Sequence, residues 1–249
     1  MKEVAMARMQ IVGLSNRCGL MVCALAVVGV FEGSARAQGD TDHCYVENGV
    51  RICGAPNGTT TNGVIAVVGS DPWGNWVGWK DYTTSECLGW DQIGDTNGFY
   101  DQHTIISGTS FTDYLGTVVA EDYEFCGFPL DPPINPNGVL TLDAWFGGQD
   151  FLEANASFHV NMECYNGDGC SFYLGGTGNP SSGNIYGSEA NDFVLYTGQG
   201  AWNFYTYGGN DQISNWTSVS PANGDCGDGE DSFTGMRQGT PLSGCETIN

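Results

Sequence analysis

The sequence predicts an all-β fold, wound as a β-solenoid of the parallel β-helix or β-roll type with about 20 residues per coil. Three observations carry that expectation. No window keeps apolar residues at helical spacing for more than about a turn. The apolar material comes in short β-branched and aromatic runs separated by Gly, Asn, Asp, Ser and Thr. An Asp-centred pattern also returns at intervals of about 20 residues, the length of one solenoid coil. The competing architecture is a β-sandwich or jelly roll, because Asp followed two residues later by an apolar side chain is a common pattern in any Asp-rich chain.

From the N-terminus, residues 1–37 read as a secretory signal peptide. Lys2, Arg8 and Arg17 precede the uncharged run Cys18 to Val30, and Ala35-Arg36-Ala37 has the small-x-small form of a cleavage site. The run has 13 residues, short of the roughly 20 that cross a bilayer, so no membrane span is expected after processing. Residues 38–249 are expected to form a single all-β domain. Strands are predicted at Val64 to Val68, Thr104 to Ile106, Thr117 to Val119, Val139 to Leu142, Ser157 to Val160, Phe193 to Tyr196 and Trp202 to Tyr207. The proline-rich segment Pro129 to Gly138 cannot supply ladder donors and is predicted as a surface loop.

The repeating pattern centres on Asp91, Asp113, Asp150, Asp192, Asp211 and Asp231, at successive intervals of 22, 37, 42, 19 and 20 positions. The two long gaps read as doubled units. Within this series, Gly187 to Trp216, and above all Gly208-Gly209-Asn210-Asp211-Gln212-Ile213, resembles the hemolysin-type (RTX-like) calcium-binding repeat. That resemblance implies calcium shared between glycine-turn carbonyls and Asp carboxylates of stacked coils. Asn191, Asp192, Asn210 and Asp211 are then the leading metal-ligand candidates, followed by Asp150, Asp228 and Asp231.

Electrostatics argues the same way without any family. Carboxylates ~4.8 Å apart in neighbouring coils repel by roughly 3 kcal/mol at an effective dielectric of ~20, and by under ~1 kcal/mol when fully wet. A partly shielded row therefore calls for a cation, and Ca²⁺, with six to eight oxygen ligands, suits it better than Mg²⁺. The acidic, glycine-rich stretch Asn223 to Asp231 reads either as a further calcium loop or as a solvated turn.

Trp73, Trp76, Trp79 and Trp90 are candidates for a carbohydrate-stacking platform, against the commoner alternative of core packing. Eight cysteines follow the leader: Cys44, Cys53, Cys87, Cys126, Cys164, Cys170, Cys226 and Cys245. Their even number in an exported chain predicts disulfides, with Cys44–Cys53, Cys164–Cys170 and Cys226–Cys245 as the economical local pairs. No C-x2-C pair favours zinc.

The seven basic and 29 acidic residues, less four and two in the leader, leave three against 27, a net charge of −24. Such a surface repels nucleic acid and anionic membranes and attracts divalent cations or a basic surface, while the tryptophans add a polysaccharide as a candidate partner. Nucleophile-elbow, zincin and P-loop motifs are missing, and Arg51, Lys80, Arg237 and the histidines sit in no catalytic context. The expected function is a secreted or cell-surface calcium-binding β-repeat protein with a structural or adhesive role. The alternative is a carbohydrate-binding or polysaccharide-degrading protein on a β-helix or jelly-roll scaffold.

Overall fold

Strands and turns, with no helix, make up the residues described by the computed structural model: 44–55, 62–94, 103–118, 120, 122–134, 138–155, 158–175, 182–217, 221–235, 239 and 241–249. The chain divides into residues 1–36 and 37–249. All of the described residues belong to the second unit, and the expected leader lies outside them. Among the described residues no helix is long and apolar enough to cross a membrane.

The chain opens with β1 (Cys44–Glu47), β2 (Val50–Cys53), β3 (Val64–Asp71), β4 (Gly74–Asp81), β5 (Cys87–Gly94), β6 (His103–Ser107) and β7 (Tyr114–Thr117). A small hairpin, β8 (Tyr123–Phe125) and β9 (Phe128–Leu130), interrupts the series. Then come β10 (Val139–Ala144), β11 (Asp150–Ala154), β12 (His159–Cys164), β13 (Cys170–Leu174), β14 (Gly183–Tyr186), β15 (Phe193–Tyr196) and β16 (Trp202–Tyr205). The last five are β17 (Gln212–Asn215), β18 (Asn223–Asp225), β19 (Ser232–Gly235), β20 (Leu242–Ser243) and β21 (Thr247–Ile248).

From β6 onward, apart from the β8–β9 hairpin, successive strands alternate between two large sheets. One sheet runs β1-β2-β6-β10-β12-β14-β16-β18-β20, and the other β21-β19-β17-β15-β13-β11-β7-β3-β4-β5. From β2 and β3 onward, each strand pairs in parallel with its counterpart one repeat later. Partners such as Leu140 and Val160, Ile185 and Phe204, or Phe204 and Gly224 stand about 20 residues apart, one repeat in each case. Antiparallel pairing is confined to β1–β2, β3–β4–β5 and β8–β9 among the named strands.

Alternation along each strand sends every second side chain inward. In β12, Val160, Met162 and Cys164 are buried while His159, Asn161 and Glu163 face out. Leu115, Leu142, Leu152, Phe172, Ile185, Val194, Phe204, Ile213 and Phe233 join these in one continuous core. A satellite core of Val67, Val118, Phe125 and Leu130 lies under the β8–β9 hairpin. The eight cysteines among the described residues are all bridged, as Cys44–Cys53, Cys87–Cys126, Cys164–Cys170 and Cys226–Cys245.

The sequence-predicted strands lie on observed ones, with shifted ends. Val64 to Val68 extends to Asp71, and Trp202 to Tyr207 stops at Tyr205. The Thr117 to Val119 expectation meets only the end of β7, and Val119 and Ser157 lie outside the described residues. Pro129 corrects the proline-loop expectation, because it belongs to β9 opposite Glu124. A two-stranded edge hairpin tolerates it, since no further strand needs its missing N–H.

Candidate functional site

Where the chain enters the second sheet, it places one residue per repeat at the same level: Val64, Asp113, Asp150, Cys170, Asp192, Asp211, Asp231 and Glu246. Each stands at or just before the first residue of its strand. The aspartates are almost wholly buried. Their carboxylates do not face each other across an empty gap. Each accepts the backbone N–H of the residue one repeat earlier: Val64 N to Asp113 Oδ1 at 2.7 Å, Asp113 N to Asp150 Oδ1 at 2.8 Å, and Cys170 N to Asp192 Oδ1 at 2.7 Å. Asp192 N to Asp211 Oδ1 at 2.8 Å, Asp211 N to Asp231 Oδ1 at 2.7 Å and Asp231 N to Glu246 Oε2 at 2.7 Å continue the row. After Val64, only the rung at Cys170 lacks a carboxylate, and there the Cys164–Cys170 bridge takes its place.

Local sequence decides how the second carboxylate oxygen is treated. Asp113 Oδ2 receives Thr109 N at 2.5 Å, and Asp192 Oδ2 receives Ser188 N at 2.6 Å. The preceding Gly108 and Gly187 leave the room, because a Cβ at either would collide with that oxygen. Asp150 Oδ2 faces Asn166 Nδ2 at 3.2 Å. In the last repeats the turn changes, and Asp211 Oδ2 and Asp231 Oδ2 are buried with no hydrogen-bond partner among the described residues. The Thr206 hydroxyl lies beside Asp211, but its single hydrogen goes to Cys226 O at 2.8 Å.

Burial penalises the charged form of the five aspartates in the row. It pushes Asp150 up to about 8, with the neighbouring Asp113 and Asp168 carboxylates adding to it and the Asp113 N–H and Asn166 opposing. Burial likewise raises Asp192 to about 6, against the hydrogen bonds from Ser188 and Cys170. Asp211 rises to about 7, again chiefly by burial. Asp113 and Asp231 move in the same direction, Asp231 helped by Glu246 and Asp228.

Of the seven residues expected to hold metal, Asp150, Asp192, Asp211 and Asp231 stand in this row. Asn191 and Asn210 form an exposed row beside it, where Asn191 Oδ1 accepts Asn210 N at 2.7 Å and Asn210 Oδ1 accepts Glu230 N at 3.0 Å. Asp228 is exposed and outside both rows. Asp91 corrects the repeat register, because it lies in the antiparallel β5 opposite Val77. The 37-residue gap is also corrected: Phe151 pairs directly with Tyr114, so the interval is one repeat enlarged by the β8–β9 hairpin. The gap between Asp150 and Asp192 is doubled, with Cys170 as its middle rung.

The tryptophans do not make one platform. Trp79 is completely buried in the core, Trp73 is 65% exposed at the β3–β4 turn, and Trp76 and Trp90 are half-buried against the satellite core. Trp90 meets Phe125 and Phe128 edge-on at 5.6 and 5.0 Å. Alternation separates Trp76 from Trp79, three positions apart, onto opposite faces of β4. Arg51 donates to Gln92 O at 3.2 Å and Lys80 lies 4.3 Å over the Phe125 ring; Arg237 lies outside the described residues.

Sequence reasoning missed Glu246 as a rung and left Asp113 out of the ligand set. The shared spacing Gly-Ser/Thr-x3-Asp at Gly108 and Gly187 was the signal for Asp113. It also missed the outward column Asn161, Asn184 and Asn203, linked side chain to side chain at 2.8 and 2.9 Å. Among the described residues, the group of three metal-capable side chains that converges within 4.8 Å is Cys164, Cys170 and Asp192. Its two sulfurs are spent on each other, so it offers no thiolate. No family profile, no curated protein and no solved structure matches this chain.

Proposed function

We propose that this chain is an exported, acidic β-solenoid that serves as a structural or adhesive element outside the cytoplasm, with calcium held at the C-terminal end of its aspartate row. The parallel registers, about 20 residues per repeat, support winding as a solenoid, since a jelly roll is assembled from antiparallel pairs. Four disulfides and the surplus of 22 negative charges support an extracellular setting. The turn Gly208-Gly209-Asn210-Asp211, with its likeness to hemolysin-type repeats, supports calcium as the ion.

The observation that carries the metal reading is the pair of buried, unpartnered oxygens, Asp211 Oδ2 and Asp231 Oδ2. A buried anionic oxygen without a donor is costly, and a proton or a cation relieves it. Asp113 and Asp192 already fill both oxygens with N–H donors, so they act as structural rungs. In this reading Asp211 and Asp231 hold the ion, with Glu246 and Asp228 beside Asp231. Such a site has few carboxylates and takes its remaining oxygens from backbone and water, as weak extracellular calcium sites do.

Thermal melting at pH 8 in EDTA and in about 10 mM CaCl2 tests this. At tenfold excess over Kd, calcium raises stability by about 1.4 kcal/mol per site. The gain should vanish in Asp231→Asn and persist in Asp192→Asn. An identical melting temperature with and without calcium removes the metal from the proposal and leaves the scaffold.

A further inference from the structure

Beside the aspartate row, at the ends of β12 and β14, the surface opens into a groove of about 520 Å³. Its walls include Phe146, Glu163, Tyr165, Tyr186, Glu189 and Tyr207. Phe146, Tyr165 and Tyr207 are 65%, 51% and 49% exposed, so large ring faces are left open to water inside a concavity. Tyr186 is held by a parallel stack on Tyr205, ring centroids 5.6 Å apart. Tyr165 is oriented by its hydroxyl, which donates to Glu163 Oε2 at 2.5 Å. The aromatic floor is thus built in advance of any ligand.

Tyr207 supplies an independent sign. Its φ is +63°, left-handed backbone that a bulky residue avoids. Tyr205 pairs with Asp225, so the equivalent position one repeat later is Gly227, with φ +86°. Glycine takes that conformation freely, yet this repeat places a tyrosine there. Strain of this kind is retained where the side chain serves the site, and here the residue lines the groove.

Among the described residues, the lining has two carboxylates and no Lys, Arg or His. An acidic ligand is therefore repelled. Rings that stack on C–H faces, together with carboxylates that accept from hydroxyls, match a sugar chain. We propose that this groove binds an oligosaccharide free of acidic groups, its ring faces lying on Phe146, Tyr165 and Tyr207 and its hydroxyls on Glu163 and Glu189. The site shares no carboxylate with the calcium proposal and stands without it.

A glycan array followed by calorimetric titration of the full, oxidised protein tests it, with neutral and N-acetylated hexasaccharides, polyuronate fragments and spermine as probes. A neutral or N-acetylated glycan should bind, and its affinity should fall about tenfold or more in both Tyr165→Ala and Tyr207→Gly. Tyr207→Gly relieves the backbone, so its melting temperature should match or exceed the parent's, which separates lost binding from lost folding. Absence of any glycan binding, affinity unchanged in both variants, or selection of polyuronate or spermine instead overturns the proposal. Running each titration in EDTA and in calcium keeps its failure distinct from failure of the metal reading.

Discussion

Asp192 holds two amide groups at once, Cys170 N–H of the preceding repeat and Ser188 N–H of its own turn. Alanine at this position orphans both buried donors, and each unsatisfied group costs about 1–3 kcal/mol. Asparagine keeps an acceptor for Cys170 N–H. Urea unfolding should therefore show Asp192→Ala destabilised by roughly 2 kcal/mol or more and Asp192→Asn by clearly less; equal losses would mean that charge, not acceptance, is what matters there. The raised carboxyls also set a pH dependence. Their folded values, about 6 for Asp192, 7 for Asp211 and 8 for Asp150, exceed the roughly 3.9 of an unfolded Asp. The fold therefore binds more protons than the open chain, and this contribution is complete below about pH 4 and lost as pH rises through 6 to 8. In EDTA the melting temperature should be lower at pH 8.5 than at pH 5, with a flatter slope in the Asp192→Asn, Asp211→Asn double variant. A melting temperature that climbs toward pH 8.5 would contradict the assignment.

Strands reveal how far a linear pattern can be read. Val64 to Val68, Phe193 to Tyr196 and Val139 to Leu142 were legible because β-branched and aromatic side chains cluster where one face is buried. The rung residues were legible where Asp recurs, and illegible at Cys170, where a disulfide replaces the carboxylate. Spacing alone could not tell an inserted hairpin from a missing repeat, since β8–β9 lengthens the interval from Asp113 to Asp150 and a silent rung lengthens the one from Asp150 to Asp192. Likewise the two faces of β4 could not be assigned while its partner strands were unknown, which is why Trp79 looked as available as Trp73. Their energetic roles now differ sharply. Trp79→Ala should cost about 3–5 kcal/mol, whereas Trp73→Ala should change stability by no more than about 0.5 kcal/mol. Comparable losses in chemical denaturation would argue against the burial contrast.

At the scale of the molecule, the bridges act on loops of very different length. Cys87–Cys126 closes 39 residues and joins β5 to the inserted hairpin, while Cys164–Cys170 closes six within one turn. Loop entropy assigns about 4 kcal/mol to the first and about 2 kcal/mol to the second. Paired Cys→Ser replacement of each, followed by urea titration, should rank them in that order; the reverse ranking would point to a packing role for the short bridge on its rung.

The acid-to-amide row also has a direction. Every carboxylate along it reaches back toward the N-terminus, so, apart from Asp150, whose next rung is Cys170, each rung's amide stays unanswered until the following rung arrives. A chain threading N-terminus first through an export channel would thus present, at its growing front, one open donor that only the next stretch of polypeptide can close. Closure is handed forward, layer by layer, and ends with Glu246 answering Asp231.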